Sequence, residues 1–295
     1  MRQKKFGSRH TVEKLDCLER YLRAYLKVFE GKDWPHTVYV DAFAGTGEIP
    51  IASTYEELPL GIEDKDFIIG SARRALAIDS SFDQYIFIEK KRGNARALEH
   101  LKRDYPTKNV RILNTDANSG IQSLCSTIDW KKHRAVVFLD PFGSQVAWQT
   151  LEAIAKTKAI DLWYLFPAGL SVHRQLGTQG KVHYTHKESL NRIFGSRDWR
   201  TRFVDTVEIA ADLFSPAGVG NSKVATPDSV TKYMHERMSS VFAGGVHDKW
   251  MPLGQKGGHW YSLMFACANP SPNATKLAMR LAGAVIGSGK RGRAK

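Results

Sequence analysis

Cysteine is scarce in this chain, with three in 295 residues, at positions 17, 125 and 267. Their odd number and wide spacing exclude a disulfide framework, and no CxxC pair offers a metal site. The expectation is a reducing cytoplasm, with Cys17, Cys125 and Cys267 filling apolar surroundings rather than acting as nucleophiles. Long apolar runs are also missing. None approaches the ~20 residues of a membrane-spanning helix, so no membrane partner is expected. The first thirty residues are charged and helical in pattern, unlike a signal peptide. Nothing repeats internally, and no tract is of low complexity. Acidic residues are outnumbered: 30 Asp and Glu against 43 Lys and Arg leave a net charge of +13. Such an excess repels itself. It suits a polyanionic partner, with nucleic acid, RNA or DNA, ahead of an acidic protein or a lipid surface.

What the chain does contain is alternation. From Thr11, the residues Leu15, Leu18, Leu22, Tyr25, Leu26 and Phe29 recur at helical spacing, and Gly31 ends the helix. Then the period changes. "TVYVDAFAG", "QYIFIEK", "NVRILNTDA", "AVVFLDP" and "IDLWYLFP" are short runs, apolar on both faces, as buried parallel strands are. Helical patterns at about 70–78, 92–104, 119–128 and 146–156 separate them. The fold class expected is α/β: a Rossmann-like, doubly wound, mostly parallel sheet with helices on both faces.

The expected organisation is an N-terminal helix (1–30), a cofactor-binding core (31–170) and a basic, mainly helical insertion (171–250). Final strands and a helix (251–285) then complete the core, and a basic tail (286–295) ends the chain. Residues 48–66 form a second insertion with six acidic residues and one lysine, expected to lie over the cofactor as a lid. Between Ser171 and Arg202, seven Lys and Arg face two acidic residues, a stretch suited to phosphates. "HDKWMPL" and "GHWYSLMFACANP" read as a final antiparallel pair of strands.

The chemistry-bearing residues stand at the strand ends. In "VDAFAGTGE" a strand leads to Asp41, then through Phe43, Ala44, Gly45, Thr46 and Gly47. Glycines there let backbone approach a ligand closely. A P-loop requires a lysine that is absent, and a dinucleotide fingerprint requires a third glycine that is absent too. The loop fits best a class I methyltransferase loop for S-adenosylmethionine. The second strand ends in Glu89, placed to accept from ribose hydroxyls. The third delivers Asp116 and Ala117 beside the adenine, and the fourth ends in Asp140. Glu89 to Asp116 is 27 residues and Asp116 to Asp140 is 24, each about one α/β unit. Four acid-ended strands in series favour a nucleoside-bearing cofactor.

The fourth strand continues as Asp140-Pro141-Phe142-Gly143. This resembles the (Asn/Asp)-Pro-Pro-(Tyr/Phe) motif of amino-methylating enzymes, with the aromatic one place earlier. It also looks like the corresponding element of tRNA guanosine N2-dimethyltransferases. The resemblance implies that Asp140 holds an exocyclic amine, Pro141 exposes a carbonyl, Phe142 stacks on the base and Gly143 leaves room. The ordinary alternative is that Asp140 caps a turn and Phe142 is core. The stretches "EKLDCLERYL", "YVDAFAGTGE", "GSARRAL", "YIFIEK" and "VVFLDPFGSQVAWQTLEAIAKTKAIDLWYLFP" carry a closer likeness. Over Thr11 to about Leu176 the chain resembles the three-Cys-motif partner proteins (TcmP) of bacteria and archaea. That family is regarded as methyltransferase-like and is named for association with a protein bearing three cysteines. The resemblance therefore implies S-adenosylmethionine as cofactor and a three-Cys-motif protein as partner. It leaves open a non-catalytic partner subunit as the alternative to a methyltransferase acting on nucleic acid. An NAD-dependent oxidoreductase is disfavoured for want of a hydride-site residue set.

Three smaller readings complete the set. Gly70 and Ser71 open a helix whose amides either face the cofactor carboxylate or are simply capped by Ser71. Lys14 either reaches the site or is solvated, and solvation is expected. Trp199, between Arg197 and Arg200, is expected to be a buried anchor rather than a stacking platform. His173, His183 and His186 lack metal-site spacing and read as surface or RNA-contact residues.

Overall fold

The computed structural model describes residues 9–50, 67–177, 182–209, 218–254 and 258–291. The chain runs α1 (Arg9–Phe29), β1 (His36–Asp41), β2 (Glu48–Pro50), β3 (Phe67–Ile69), α2 (Ser71–Leu76), β4 (Gln84–Ile88), α3 (Arg92–Arg103) and β5 (Val110–Leu113). It continues through α4 (Ala117–Thr127), β6 (His133–Leu139), α5 (Trp148–Lys156) and β7 (Ile160–Phe166). A π-helical turn, Ala168–Val172, leads into α6 (His173–Gln175), α7 (Tyr184–Phe194), α8 (Trp199–Phe203), β8 (Val204–Ile209) and β9 (Gly218–Lys223). The last elements are α9 (Pro227–Ser239), β10 (Met251–Leu253), β11 (Tyr261–Cys267) and α10 (Pro272–Arg291).

Seven strands form one sheet in the order β10-β11-β7-β6-β1-β4-β5. The five neighbours from β7 to β5 are parallel, and β11 runs antiparallel to both β7 and β10. This is the expected Rossmann-like, mostly parallel sheet with helices on both faces. Strand period 2 sorts its side chains between two cores. Val38, Val40, Ala135, Val137, Leu139, Leu162 and Tyr164 face one core with α4, α5, α7 and α9. Tyr39, Val136, Phe138, Trp163 and Leu165 face the other with α1, α2, α3 and α10. Strands apolar on both faces are therefore covered on both, as their composition requires.

Local chemistry sets the helix ends. Asp116 caps α4 by accepting from the Asn118 amide at 3.0 Å. Thr226 and Ser229 form a capping box at α9, with Pro227 at the first helical position. Gly195 ends α7 in the left-handed conformation (φ 63°).

Three features differ from the sequence reading. The 171–250 segment is not only helical, because β8 and β9 form an antiparallel hairpin inside it. Its "VDTVEI" strand carries two acidic residues and no continuous apolar run, so it gave no strand signal. The chain beyond 285 is not a tail at first, because α10 continues to Arg291. Ala278, Ala282, Val285 and Ile286 anchor that helix on the core, and propagation carries it past the glycines. The π-helical turn was not expected either. Most of the acidic insertion, residues 51–66, lies outside the described residues. Its stem is the β2–β3 pair. Among the described residues no helix is long and apolar enough to cross a membrane.

Candidate functional site

The carboxyl ends of β1, β4, β5 and β6 are neighbours, so the four acids come together at one edge of the sheet. In open α/β sheets this edge is where ligands bind. Asp41, the last residue of β1, is fully buried. Its Oδ1 accepts from the Phe43 amide at 3.2 Å, and its Oδ2 accepts from Ser71 Oγ at 2.5 Å. Burial pushes its carboxyl up to about 7; the bonds from Ser71 and Phe43 oppose this, Asp140 adds to it, and Lys14 opposes it. Asp41 thus organises the loop from beneath. Of the two readings of the start of α2, the Ser71 cap is not found: Ser71 donates to the Asp41 carboxylate and Gly70 holds the cap position. The Gly70 amide is already committed, donating to Gly47 O at 2.9 Å.

The loop itself is tightly specified. The Ala44 amide donates to Ile88 O at 3.2 Å, and the Gly47 amide to Ala44 O at 3.3 Å. Thr46 Oγ1 donates to Glu48 O at 2.7 Å. Gly45 and Gly47 both take positive φ, 62° and 81°. A Cβ on Gly47 would strike Leu101 Cδ2 at 2.6 Å, whereas one on Gly45 would meet nothing within 4 Å. Gly47 is there for packing and Gly45 borders open space. Glu89, partly buried, accepts from the Gly45 amide at 3.1 Å and from the Lys91 amide at 2.6 Å. Asp116 accepts from the Asn118 amide and side chain and lies 3.7 Å from Lys90 Nζ. The two bonds from Asn118 and the Lys90 charge hold its carboxyl below the usual range, against a desolvation that acts the other way. Ala117, the next residue, is buried in the first turn of α4.

At the end of β6, Asp140 is paired with Lys14 of α1, their side chains 23% and 12% exposed. Lys14 is not solvated as expected. Pro141 is buried, and Phe142 is 66% exposed, so the core reading of Phe142 is excluded. Gly143 has φ 98°, and a Cβ there would stand 3.4 Å from Ser171 Oγ. The loop after it is pinned from several sides. Ser144 and Ser171 share a hydrogen bond at 2.5 Å, and Gln175 Nε2 donates to Ser144 Oγ at 2.6 Å. Arg192 of α7 donates to Ser144 O at 2.5 Å and to Gln145 O at 3.2 Å. Gln145 Oε1 accepts from the Phe142 amide at 2.8 Å, and Asn118 joins the loop to α4 through Gln145 O and the Ala147 amide. A rigid loop therefore presents an exposed ring beside a carboxylate.

Sequence reasoning missed Ser171, Gln175 and Arg192; it named Lys14 and Ser71 but not their side-chain partners Asp140 and Asp41. Serines and basic residues on helices carry no local signal of a tertiary partner. Tyr261 of β11 also senses the site: burial raises its hydroxyl, Asp140 adds to this and Arg174 opposes it. Of the basic region, Trp199 is fully buried, as expected, and donates to Asn191 Oδ1 at 2.9 Å. His173 is tied to Ala225 O at 3.0 Å and Lys223 donates to His173 O at 2.9 Å. Tyr184 is 70% exposed beside His183. The three cysteines are free, and burial pushes Cys17 and Cys125 up to about 12 and Cys267 upward too. They are inert fillers at neutral pH.

No family model and no curated protein matches the chain. The TcmP resemblance thus stands on its residues alone. Solved structures with a similar chain path include protein LPL1258 of Legionella pneumophila, at 19% identity and TM-score 0.43. That match covers 80% of this chain and 93% of that one. An rRNA methylase of Streptococcus thermophilus matches at 12% identity and TM-score 0.30, over 70% of this chain and 95% of that one. M. jannaschii TYW2, solved in complex with AdoMet, matches at 13% identity and TM-score 0.36, over 88% of this chain and 76% of that one. These are likenesses of chain path, and the chemistry of the site rests on its own residues.

Proposed function

We propose that this protein is an S-adenosylmethionine-dependent methyltransferase whose acceptor is an exocyclic amine of nucleic acid. The observation that carries the reading is one edge of one sheet. A glycine loop open above Gly45 and bonded to Glu89 stands on β1 and β4, and Asp140 with an exposed Phe142 stands on the adjacent β6.

The residues fit the cofactor. Glu89 holds Oε2 at the Gly45 amide and Oε1 at the Lys91 amide, and each oxygen keeps a lone pair for a vicinal hydroxyl, while Gly45 leaves the space above it clear. Asp116 and Ala117 would border the base, and the Asp41-supported loop would lie under the amino-acid end. When bound, the cofactor supplies an electrophilic methyl group on a sulfonium. Asp140 accepts an N–H of the acceptor and holds its nitrogen at the sheet edge. Phe142 offers its face to the base, with the Pro141 carbonyl as a further acceptor. Most of the rate gain comes from this alignment, because effective molarities of oriented groups reach ~10⁵ M or more. No general base is needed, since the proton leaves after transfer. The net charge of +13 would gather the phosphates.

Calorimetry with S-adenosylmethionine is the first test, and absence of binding to the wild-type protein overturns the reading. Nucleoside mass spectrometry of host RNA and DNA, with and without the protein, is the second. Asp140→Ala is expected to abolish transfer and to leave cofactor binding intact. Binding without transfer to any nucleic acid, together with a stable complex with a three-Cys-motif protein, would favour the non-catalytic partner subunit instead.

A further inference from the structure

We infer that Lys14 is a positioning residue of the acceptor site and acts through Asp140; the inference rests on the acceptor role proposed above for that aspartate. Lys14 stands on the second turn of α1, next to the buried stripe that begins at Leu15. A lysine in such a place ordinarily extends to water, keeping its rotamer freedom and hydration. Here the ammonium turns inward to Asp140 Oδ2, across 126 residues of sequence, and the side chain is 12% exposed.

What the contact adds is control of the one freedom Asp140 retains. Its backbone is already restricted to extended conformations because Pro141 follows it. The loop beyond is pinned at Ser144 by Ser171, Gln175 and Arg192. The Phe142 amide is given to Gln145 rather than to Asp140. Only the two side-chain torsions of Asp140 remain, and Lys14 sets them by holding Oδ2, so Oδ1 is the oxygen offered to an acceptor N–H. Lys14 also faces two carboxylates that repel each other. Asp140 raises the carboxyl of Asp41 and Lys14 lowers it, so the cation lies within reach of both and offsets their repulsion. The first helix thereby belongs to the acceptor site, although every cofactor contact named above lies on the sheet edge.

The test uses full-length protein, with transfer of labelled methyl groups from S-adenosylmethionine to bulk RNA and DNA from cells lacking it. Lys14→Met is expected to lower kcat about 100-fold, the scale of a small misplacement of a reacting group. KM for the acceptor and calorimetric affinity for S-adenosylmethionine should stay within about twofold of wild type. Lys14→Arg should recover part of the rate. In an Asp140→Asn background, Lys14→Met should cost nothing further, because coupled residues are not additive. Thermal unfolding of the ligand-free variants supplies a readout independent of turnover, and there too the two substitutions should be non-additive. A Lys14→Met protein that melts earlier yet keeps wild-type kcat marks a merely structural clamp and overturns the inference. Equal loss of rate in the Asp140→Asn and wild-type backgrounds overturns it as well. Absence of transfer by the wild-type protein refutes the proposed function and removes this inference with it.

Discussion

Replacing Asp41 by asparagine tests how the glycine loop is supported. Asp41 is wholly buried, and burial raises its carboxyl from an ordinary 3.8 to about 7. The change is about 3 units at ~1.4 kcal/mol each, so ionising it within the fold costs about 4 kcal/mol. Below about pH 4 the group is protonated in both folded and unfolded chains and contributes nothing. As the pH rises toward 7 the unfolded chain has lost the proton while the folded chain keeps it, so stability falls across that window and levels off above it. Asparagine preserves the geometry: its Oδ1 accepts from the Phe43 amide, and its Nδ2 donates to Ser71 Oγ once that hydroxyl turns to accept. Urea unfolding at pH 4, 6 and 8 is the assay. Asp41→Asn should match wild type within about 1 kcal/mol at pH 4 and exceed it by about 2–4 kcal/mol at pH 8. Asp161, raised by burial to about 6 and bonded by Tyr21 at 2.7 Å, leaves a smaller fall of the same sign in both proteins. A stability difference that does not change with pH would refute the reasoning.

Other substitutions probe the remaining parts. Gly195→Ala places a Cβ 2.0 Å from Trp148 Cδ1 at a φ of 63°, and should destabilise the protein by about 2–4 kcal/mol in the same urea assay. Phe142→Ala, at a ring 66% exposed, should leave stability within about 0.5 kcal/mol and cut methyl transfer about tenfold or more through lost stacking. Glu89→Gln can keep only one of the bonds from the Gly45 and Lys91 amides, because its amide nitrogen cannot accept, and should weaken calorimetric binding of S-adenosylmethionine about tenfold or more. Affinity for RNA or DNA should fall steeply between low and high salt, and a flat titration removes nucleic acid as the substrate class.

The sequence by itself determined the sheet and the edge where its acids gather. Runs such as "YIFI" and "AVVFL" are apolar at every position, so each had to be covered on both faces, and they alternate with helical patterns of crossover length. Parallel order then brings the strand ends to one edge, and the acids at 41, 89, 116 and 140 with them. The hairpin of β8 and β9 was hidden because "VDTVEI" neither alternates strictly nor forms a two-sided apolar run. The full length of α10 was hidden because its glycines read as an end, although packing of Val285 and Ile286 extends the helix. Only the tertiary structure decided which side chains complete the site. Ser71 turns to Asp41, Arg192 to the carbonyls after Gly143, and Lys14 to Asp140. Periodicity reports which face of a helix is buried because burial is local and repeats along the helix. A single polar contact across 126 residues repeats nowhere, and depends on where the folded chain places two otherwise ordinary residues.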